Sequence, residues 1–144
     1  MRRIALVLVA GLALAGCGGS SGTTTTDTTA AARAQIKSAY VKFFSGKTPV
    51  SERVAVLQNG SKFKGLVTTF ANNPLAKNVN VTVSSVTIEG GDNAKVVYTV
   101  KLGGAGLPKQ TGTAVRENGT WKVGYASLCK LVALQGSTPS VCKS

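Results

Sequence analysis

Val115-Arg116-Glu117-Asn118-Gly119-Thr120-Trp121-Lys122-Val123 decides the fold of this 144-residue chain. Asn-Gly is the dipeptide that accepts positive φ at both central positions of a type I′ turn, so the residues on either side read as two antiparallel strands. The strand before the turn spans Lys109 to Glu117, and the strand after it runs from Thr120 to Tyr125 with Trp121, Val123 and Tyr125 on one face. Upstream, beyond a Gly103–Pro108 loop, Ala94, Val96, Tyr98, Val100 and Leu102 alternate with polar residues as another strand. Gly90-Gly91-Asp92-Asn93 turns that strand back on a further one, in which Val79, Val81 and Val83 alternate in one phase and Val86 and Ile88 in the other. The phase change at Ser84-Ser85 predicts a β-bulge or sharp bend.

Helices flank this meander. Ile36, Tyr40, Phe43 and Phe44 recur at helical spacing, in a helix starting near Thr28, capped by Asp27 or Thr28 and ended by Gly46 ahead of Pro49. A short second helix opens at Ser51-Glu52-Arg53, carries Val54 and Leu57 and closes at Asn59-Gly60. Ser61 caps a third with Phe63, Leu66, Val67 and Phe70, stopped by Asn72-Asn73-Pro74. After the sheet, Ser127 caps a last helix with Leu128, Leu131, Val132 and Leu134, ended by Gly136. Helices, then a four-stranded antiparallel meander, then a short C-terminal helix make an α+β layout rather than alternating βαβ units.

The run Val81–Glu89, the hairpin after it, and Val115 to Val123 followed by a small-residue helix start resemble the C-terminal domain of the mycobacterial low-molecular-weight secreted antigen family. The resemblance covers roughly residues 30 to 136. It implies a cystatin-like or nuclear-transport-factor-2-like fold, with N-terminal helices packed on a curved four-stranded sheet, and an actinobacterial-type envelope setting. It supplies no catalytic motif.

The N-terminus gives an address. Met1-Arg2-Arg3 is a positive head and Ile4–Ala15 an aliphatic run, the pattern of a secretory signal. A membrane-spanning helix is the alternative, but spanning needs roughly 20 apolar residues and this run is shorter. Leu14-Ala15-Gly16-Cys17 resembles the lipobox of bacterial lipoproteins. That resemblance implies a signal peptide over 1–16 and diacylglyceryl attachment at Cys17, with the palmitate-type acyl chains holding the protein on the extracytoplasmic face of the cell membrane. Two such chains suffice for stable anchoring. Residues 17–29, rich in Gly, Ser and Thr without a large apolar side chain, read as a disordered tether with a reach of roughly 20 Å, leaving 30–144 as one cone-like domain.

Three cysteines are present. With Cys17 acylated, Cys129 and Cys142 remain, and an even remainder in an oxidising exported setting reads as a disulfide. The alternatives are a redox pair, for which the spacing is far from C-x-x-C, and a metal site, for which the chain offers no histidine. Without Arg2 and Arg3 the mature chain keeps 15 Lys and Arg against 5 Asp and Glu, a formal +10. For an exported domain, the counterparts of such charge are anionic envelope lipids, acidic wall polymers or another envelope protein rather than nucleic acid; the alternative is that scattered lysines serve solubility alone.

Catalytic chemistry finds little support. Without histidine, a general base near neutral pH has to be a perturbed carboxylate, lysine or tyrosine. Asp27, Glu52, Glu89, Asp92 and Glu117 all occupy tether, helix-start, strand-end or turn positions. No G-x-S-x-G motif occurs, and the Gly103–Gly106 loop lacks the following helix a phosphate cradle requires. Binding is left. A cone of sheet can enclose an apolar pocket, which Tyr40, Phe44, Phe63, Phe70, Tyr98, Trp121 and Tyr125 would line; alternatively these aromatics simply fill the core. Lys62 and Lys64 flank Phe63, and Lys95 and Lys101 share the strand face opposite Tyr98, giving a positive outer surface. The expectation is a non-enzymatic, membrane-anchored lipoprotein with a basic partner-binding domain, or else a carrier or sensor of an apolar small molecule held in the cone. No cofactor or metal is expected, and the oligomeric state is not readable.

Overall fold

The computed structural model describes residues 23–143, with side chains from residue 28 onward. The expected signal segment, the expected acylation site at Cys17 and the first residues of the expected tether lie outside the described residues. The first helix, α1, spans Thr23–Phe44. It starts ahead of Thr28, so Thr23–Thr29, assigned above to a disordered tether, is helical. Threonine is a mediocre helix former, but extending an existing helix costs little once the nucleus is made.

Two short helices follow, α2 (Val50–Ala55) and α3 (Lys64–Asn72), then a 3₁₀ turn at Pro74–Asn78. Ser61 does not cap α3; residues 58–63 wind through a tight turn in which Asn59 takes φ 52°, and Phe63 stands at the helix start. The strands are β1 (Val79–Ile88), β2 (Asn93–Leu102), a two-residue β3 (Ala105–Gly106), β4 (Gln110–Glu117) and β5 (Thr120–Val123). Their order is β1-β2-β4-β5, antiparallel throughout, with β3 pairing the end of β2. The four expected strands are all present, and the Gly103–Pro108 loop adds the fifth.

Local sequence accounts for the joints. Asn118 and Gly119 take φ 51° and 78°, the two left-handed positions of a type I′ turn. Between β1 and β2 the register shifts at Val83/Ser85, where the hydrophobic phase changes, so the inward set passes from Val79, Val81 and Val83 to Val86 and Ile88. That bulge helps curl the sheet into a half-barrel. On the far side, Val123 N–H donates to Val56 O and Gln58 N–H to Val123 O, both at 2.8 Å, so the segment after α2 lines the β5 edge as a short parallel bridge through Leu57.

The concave face is packed by α1. Ile36, Tyr40, Phe43 and Phe44 meet Val96, Tyr98 and Val100, and all are essentially solvent-free. Ring centroids of Tyr40 and Tyr98 are 5.1 Å apart, Phe44 and Tyr98 5.4 Å, and Phe43 meets Phe44 edge-on at 5.0 Å, the offset geometries aromatic quadrupoles favour.

The C-terminal helix α4 spans Tyr125–Ala133. Tyr125 therefore opens the helix rather than closing β5, and Ser127 lies inside the helix rather than capping it. The cause is a tight contact at Gly124, whose N–H donates to Thr113 O at 2.8 Å and whose α-carbon faces the Thr113 hydroxyl with no room for a side chain. The chain turns there, and Ser127 is drawn to the sheet: Thr113 N–H donates to its Oγ at 2.9 Å. Cys129 and Cys142 form a disulfide with Cα atoms 5.6 Å apart, fixing the tail to α4.

Candidate functional site

The cone has two unlike ends. At the turn end lie the β1–β2 and β4–β5 turns; at the mouth β1 begins, β2 finishes and β4 begins. At the mouth an apolar groove of about 520 Å³ opens between sheet and helices. Its floor is Val79, Val100 and Leu102 of β1 and β2. One wall is Leu131 and Leu134 of α4, the other Phe70 of α3 with Leu75 and Ala76 of the 3₁₀ turn. Leu107 and Pro108 of the loop after β3 complete the rim. Leu75 is 65% exposed, Leu134 63% and Leu107 38%; they are three of the four large apolar side chains exposed among the described residues. Their convergence on one groove contrasts with the single scattered apolar residues ordinary on a surface.

Local chemistry explains why these leucines point outward. Asn73 accepts the Leu75 N–H at 3.0 Å, holding the Pro74 turn and lifting Leu75 above Ala76. Leu107 N–H donates to Val100 O at 2.8 Å, which folds the loop over the end of β2. The disulfide fixes the helix that carries Leu131 and Leu134.

The expected pocket residues lie mostly elsewhere. Phe70 lines the groove. Tyr40, Phe44, Phe63, Tyr98 and Trp121 are buried in the core, while Tyr125, half-buried, stacks on Phe63 with centroids 5.2 Å apart. The interior of the cone is thus filled by aromatics and the opening is lined by aliphatics. Leu75, Leu107 and Leu134 gave a weak signal in the sequence: each is a large apolar residue in a turn or helix-end segment, two of them beside proline.

Above the filled interior sits a polar belt. The Tyr40 hydroxyl donates to Thr113 O at 2.6 Å and lies 3.1 Å from Ser127 Oγ. Gly112 makes this possible, because a β-carbon there would come within 2.5 Å of Ser127 Oγ and 2.6 Å of the Tyr40 hydroxyl. Burial pushes the Tyr40 hydroxyl far above its usual pKa, and pushes Tyr98 up to about 12. Both remain neutral at physiological pH, so Tyr40 does not serve Ser127 as a base.

Arg53, read above only as part of a helix start, is buried. Its Nε donates to Thr48 O at 2.9 Å and one terminal nitrogen to Ser45 O at 2.7 Å, and the guanidinium stands 6.0 Å over the Phe70 ring. Burial lowers its pKa, but a guanidinium starts high enough to stay charged. It clamps the loop after α1 and supports the groove wall from behind. Glu117, at the turn end, accepts from Lys122 Nζ at 2.8 Å and from Asn59 N–H at 3.0 Å; these bonds hold its carboxyl below the usual range.

Lys95 and Lys101 are exposed on the convex face of β2 as expected, but about 20 Å of strand separates them, at roughly 3.3 Å per residue. Among the described residues no cluster of three or more metal-ligating side chains occurs, and no helix is long and apolar enough to cross a membrane.

Helices packed into the concave face of a curled antiparallel sheet, with a short helix after it, make this an α+β half-barrel domain. Residues 28–139 match the C-terminal domain of the low molecular weight antigen MTB12, and the chain belongs to that family. Among solved structures, it is similar to a Campylobacter jejuni protein named as a candidate NTF2-like transpeptidase, with 16% identity and a TM-score of 0.45 over 61% of this chain and 92% of that one. No curated protein matches the chain. The family is named for an antigen, and that name states no reaction.

Proposed function

We propose that this protein is a non-catalytic lipoprotein of the cell envelope, tethered through Cys17, whose domain binds an apolar ligand in the groove at the mouth of its cone. One observation carries this reading: Leu75, Leu107 and Leu134 leave water-exposed apolar surface around a single concave site. The volume falls within the ~300–1,000 Å³ of ordinary small-molecule sites. The geometry favours this groove over the convex face of β2, whose two lysines stand too far apart to grip one small anion.

The groove's chemistry speaks for binding rather than turnover. None of its lining residues is ionisable; Asn73, Gln110 and Gln135 supply its polar atoms. Cys129 and Cys142 are bonded to each other, so neither offers a thiolate. The helix α1 begins beside the turn end, where Thr28 and Thr29 lie against Gly91 and Gly119, and β2 runs ~30 Å from there to the mouth. A tether entering α1 therefore leaves the groove facing away from the anchor.

The reading is tested with a neutral apolar fluorophore, N-phenyl-1-naphthylamine, on the full chain carrying Cys17→Ala. The probe brightens on binding, and the pair Leu75→Gln with Leu134→Gln weakens binding by about tenfold, from the loss of roughly 1–2 kcal/mol of apolar contact. Equal binding by both proteins would remove the groove from consideration. The same Cys17→Ala change moves the protein out of the membrane fraction in cells; retention there would end the lipid-anchor reading.

A further inference from the structure

The charged groups of the molecule are unevenly placed about the groove. Lys77 follows Ala76, Lys109 stands between Pro108 and Gln110, and Lys130 precedes Leu131, each next in sequence to a lining residue. All three are exposed, and Lys130 Nζ reaches Thr111 O at 3.4 Å, beside Gln110. Adjacent α-carbons are about 3.8 Å apart, so each lysine is rooted at the rim, and its long flexible side chain gives the ammonium group access to the opening of the groove.

Among the described residues the side-chain carboxylates are found elsewhere. Glu89, Asp92 and Glu117 belong to the turn end, where Lys95, Arg116 and Lys122 offset them, and Glu52 pairs with Lys42 at 3.3 Å. No lining residue of the groove, and no sequence neighbour of one, is acidic. The mouth therefore combines an apolar floor with a rim of uncompensated positive charge, and potential in such a concave, low-dielectric site is focused rather than dispersed.

We propose that the ligand of the groove is a single-chain anionic amphiphile of the fatty-acid type, its hydrocarbon chain lying along Val79, Val100, Leu102 and Leu131 and its carboxylate among Lys77, Lys109 and Lys130. A methylene takes up about the ~30 Å³ share of a water molecule. A groove of about 520 Å³ therefore accommodates one chain of up to roughly seventeen carbons rather than two. Asn73, Gln110 and Gln135 add neutral hydrogen-bonding groups to the lining. This inference rests on the groove being a binding site and adds the sign of the head group.

The test is displacement of N-phenyl-1-naphthylamine from the full chain carrying Cys17→Ala by three ligands of equal chain length: hexadecanoate, hexadecanol and hexadecyltrimethylammonium, at neutral pH and below their micellar concentrations. Hexadecanoate displaces the probe at about tenfold lower concentration than the alcohol, and the cation is the weakest. In about 1 M salt, where the Debye length is ~3 Å, the gap between acid and alcohol closes. Combining Lys77→Gln, Lys109→Gln and Lys130→Gln brings the acid to the level of the alcohol, whereas Lys95→Gln on the convex face keeps the preference; melting curves verify that each variant is folded. Equal displacement by all three ligands would overturn the charge preference and leave the apolar groove standing. Failure of the probe to bind at all would sink both.

Discussion

Trp121 at the turn end of the cone is 6% exposed, whereas Leu134 at the mouth is 63% exposed, although the first stands in a strand of the curled sheet and the second at the end of a helix packed on it. At the turn end, α1 lies against β5 and the two turns, and acids and bases alternate closely enough to offset one another. At the mouth, α1 has already ended, the covering elements are a 3₁₀ turn, a loop and the end of a short helix, and among the described residues no ion pair joins the rim lysines to an acid. One end is thus built for stability and the other leaves apolar surface in water that folding alone does not require. Wet apolar surface beside an adequate core is the mark of a surface meant to be covered.

The comparison makes unequal demands on substitution. Trp121→Ala removes the large side chain that closes the turn end and should cost about 3–5 kcal/mol, read as a fall in the urea midpoint. A loss below about 1 kcal/mol would mean that the turn end is not the stabilising half. Cys129→Ala with Cys142→Ala opens a loop of sequence separation 13 and should cost about 3 kcal/mol in the chain-entropy model. Because it frees the helix that forms one wall, it should weaken probe binding as well; unchanged binding in a folded variant would show that the wall does not need the bond.

Between the two ends, the tyrosine belt predicts alkaline sensitivity. Tyr40 and Tyr98 keep their protons in the folded chain, while in the unfolded chain they ionise near pH 10. Above pH 10 the folded state binds more protons than the unfolded, so stability falls as pH rises, by about 1.4 kcal/mol per pH unit for each tyrosine. For Tyr98 the decline ends near its folded value of about 12. Tyr98→Phe should make the stability slope above pH 10 shallower by about that amount, and an identical slope would refute its share. The smallest effect belongs to the mouth: Leu134→Ala should shift stability by no more than about 0.5 kcal/mol, as an exposed site does. A larger loss would show that the rim serves the fold.

Much of the architecture was legible because it is written locally. Asn118-Gly119 specifies its turn by backbone sterics, the Ser84-Ser85 phase change marks the bulge, and the pairing of Cys129 with Cys142 follows once a third thiol is set aside. What was missed depends on distant partners. Ser127 leaves its expected capping role because Thr113 and Tyr40, far off in sequence, compete for its hydroxyl. Arg53 is buried because carbonyls of the α1 loop surround it, a fact no hydrophobic period encodes. The aromatic residues drew attention to the interior, yet a small domain uses its bulkiest side chains to fill space. The groove was left to leucines in irregular segments, where periodicity is silent.

The bulge at Val83/Ser85 has a further consequence. It lies in β1, an edge of the sheet, and β1 is a ten-residue strand rich in valine with no charged residue along its length. Such a strand, if regular, is a template for pairing with a second molecule. The opposite edge, at β5, is occupied by Val56–Gln58. On β1 the bulge breaks the row of backbone donors and acceptors partway along, so an incoming strand cannot stay in register across it. The same extra residue that bends the sheet around its core also interrupts the one long edge that the sheet leaves unpaired.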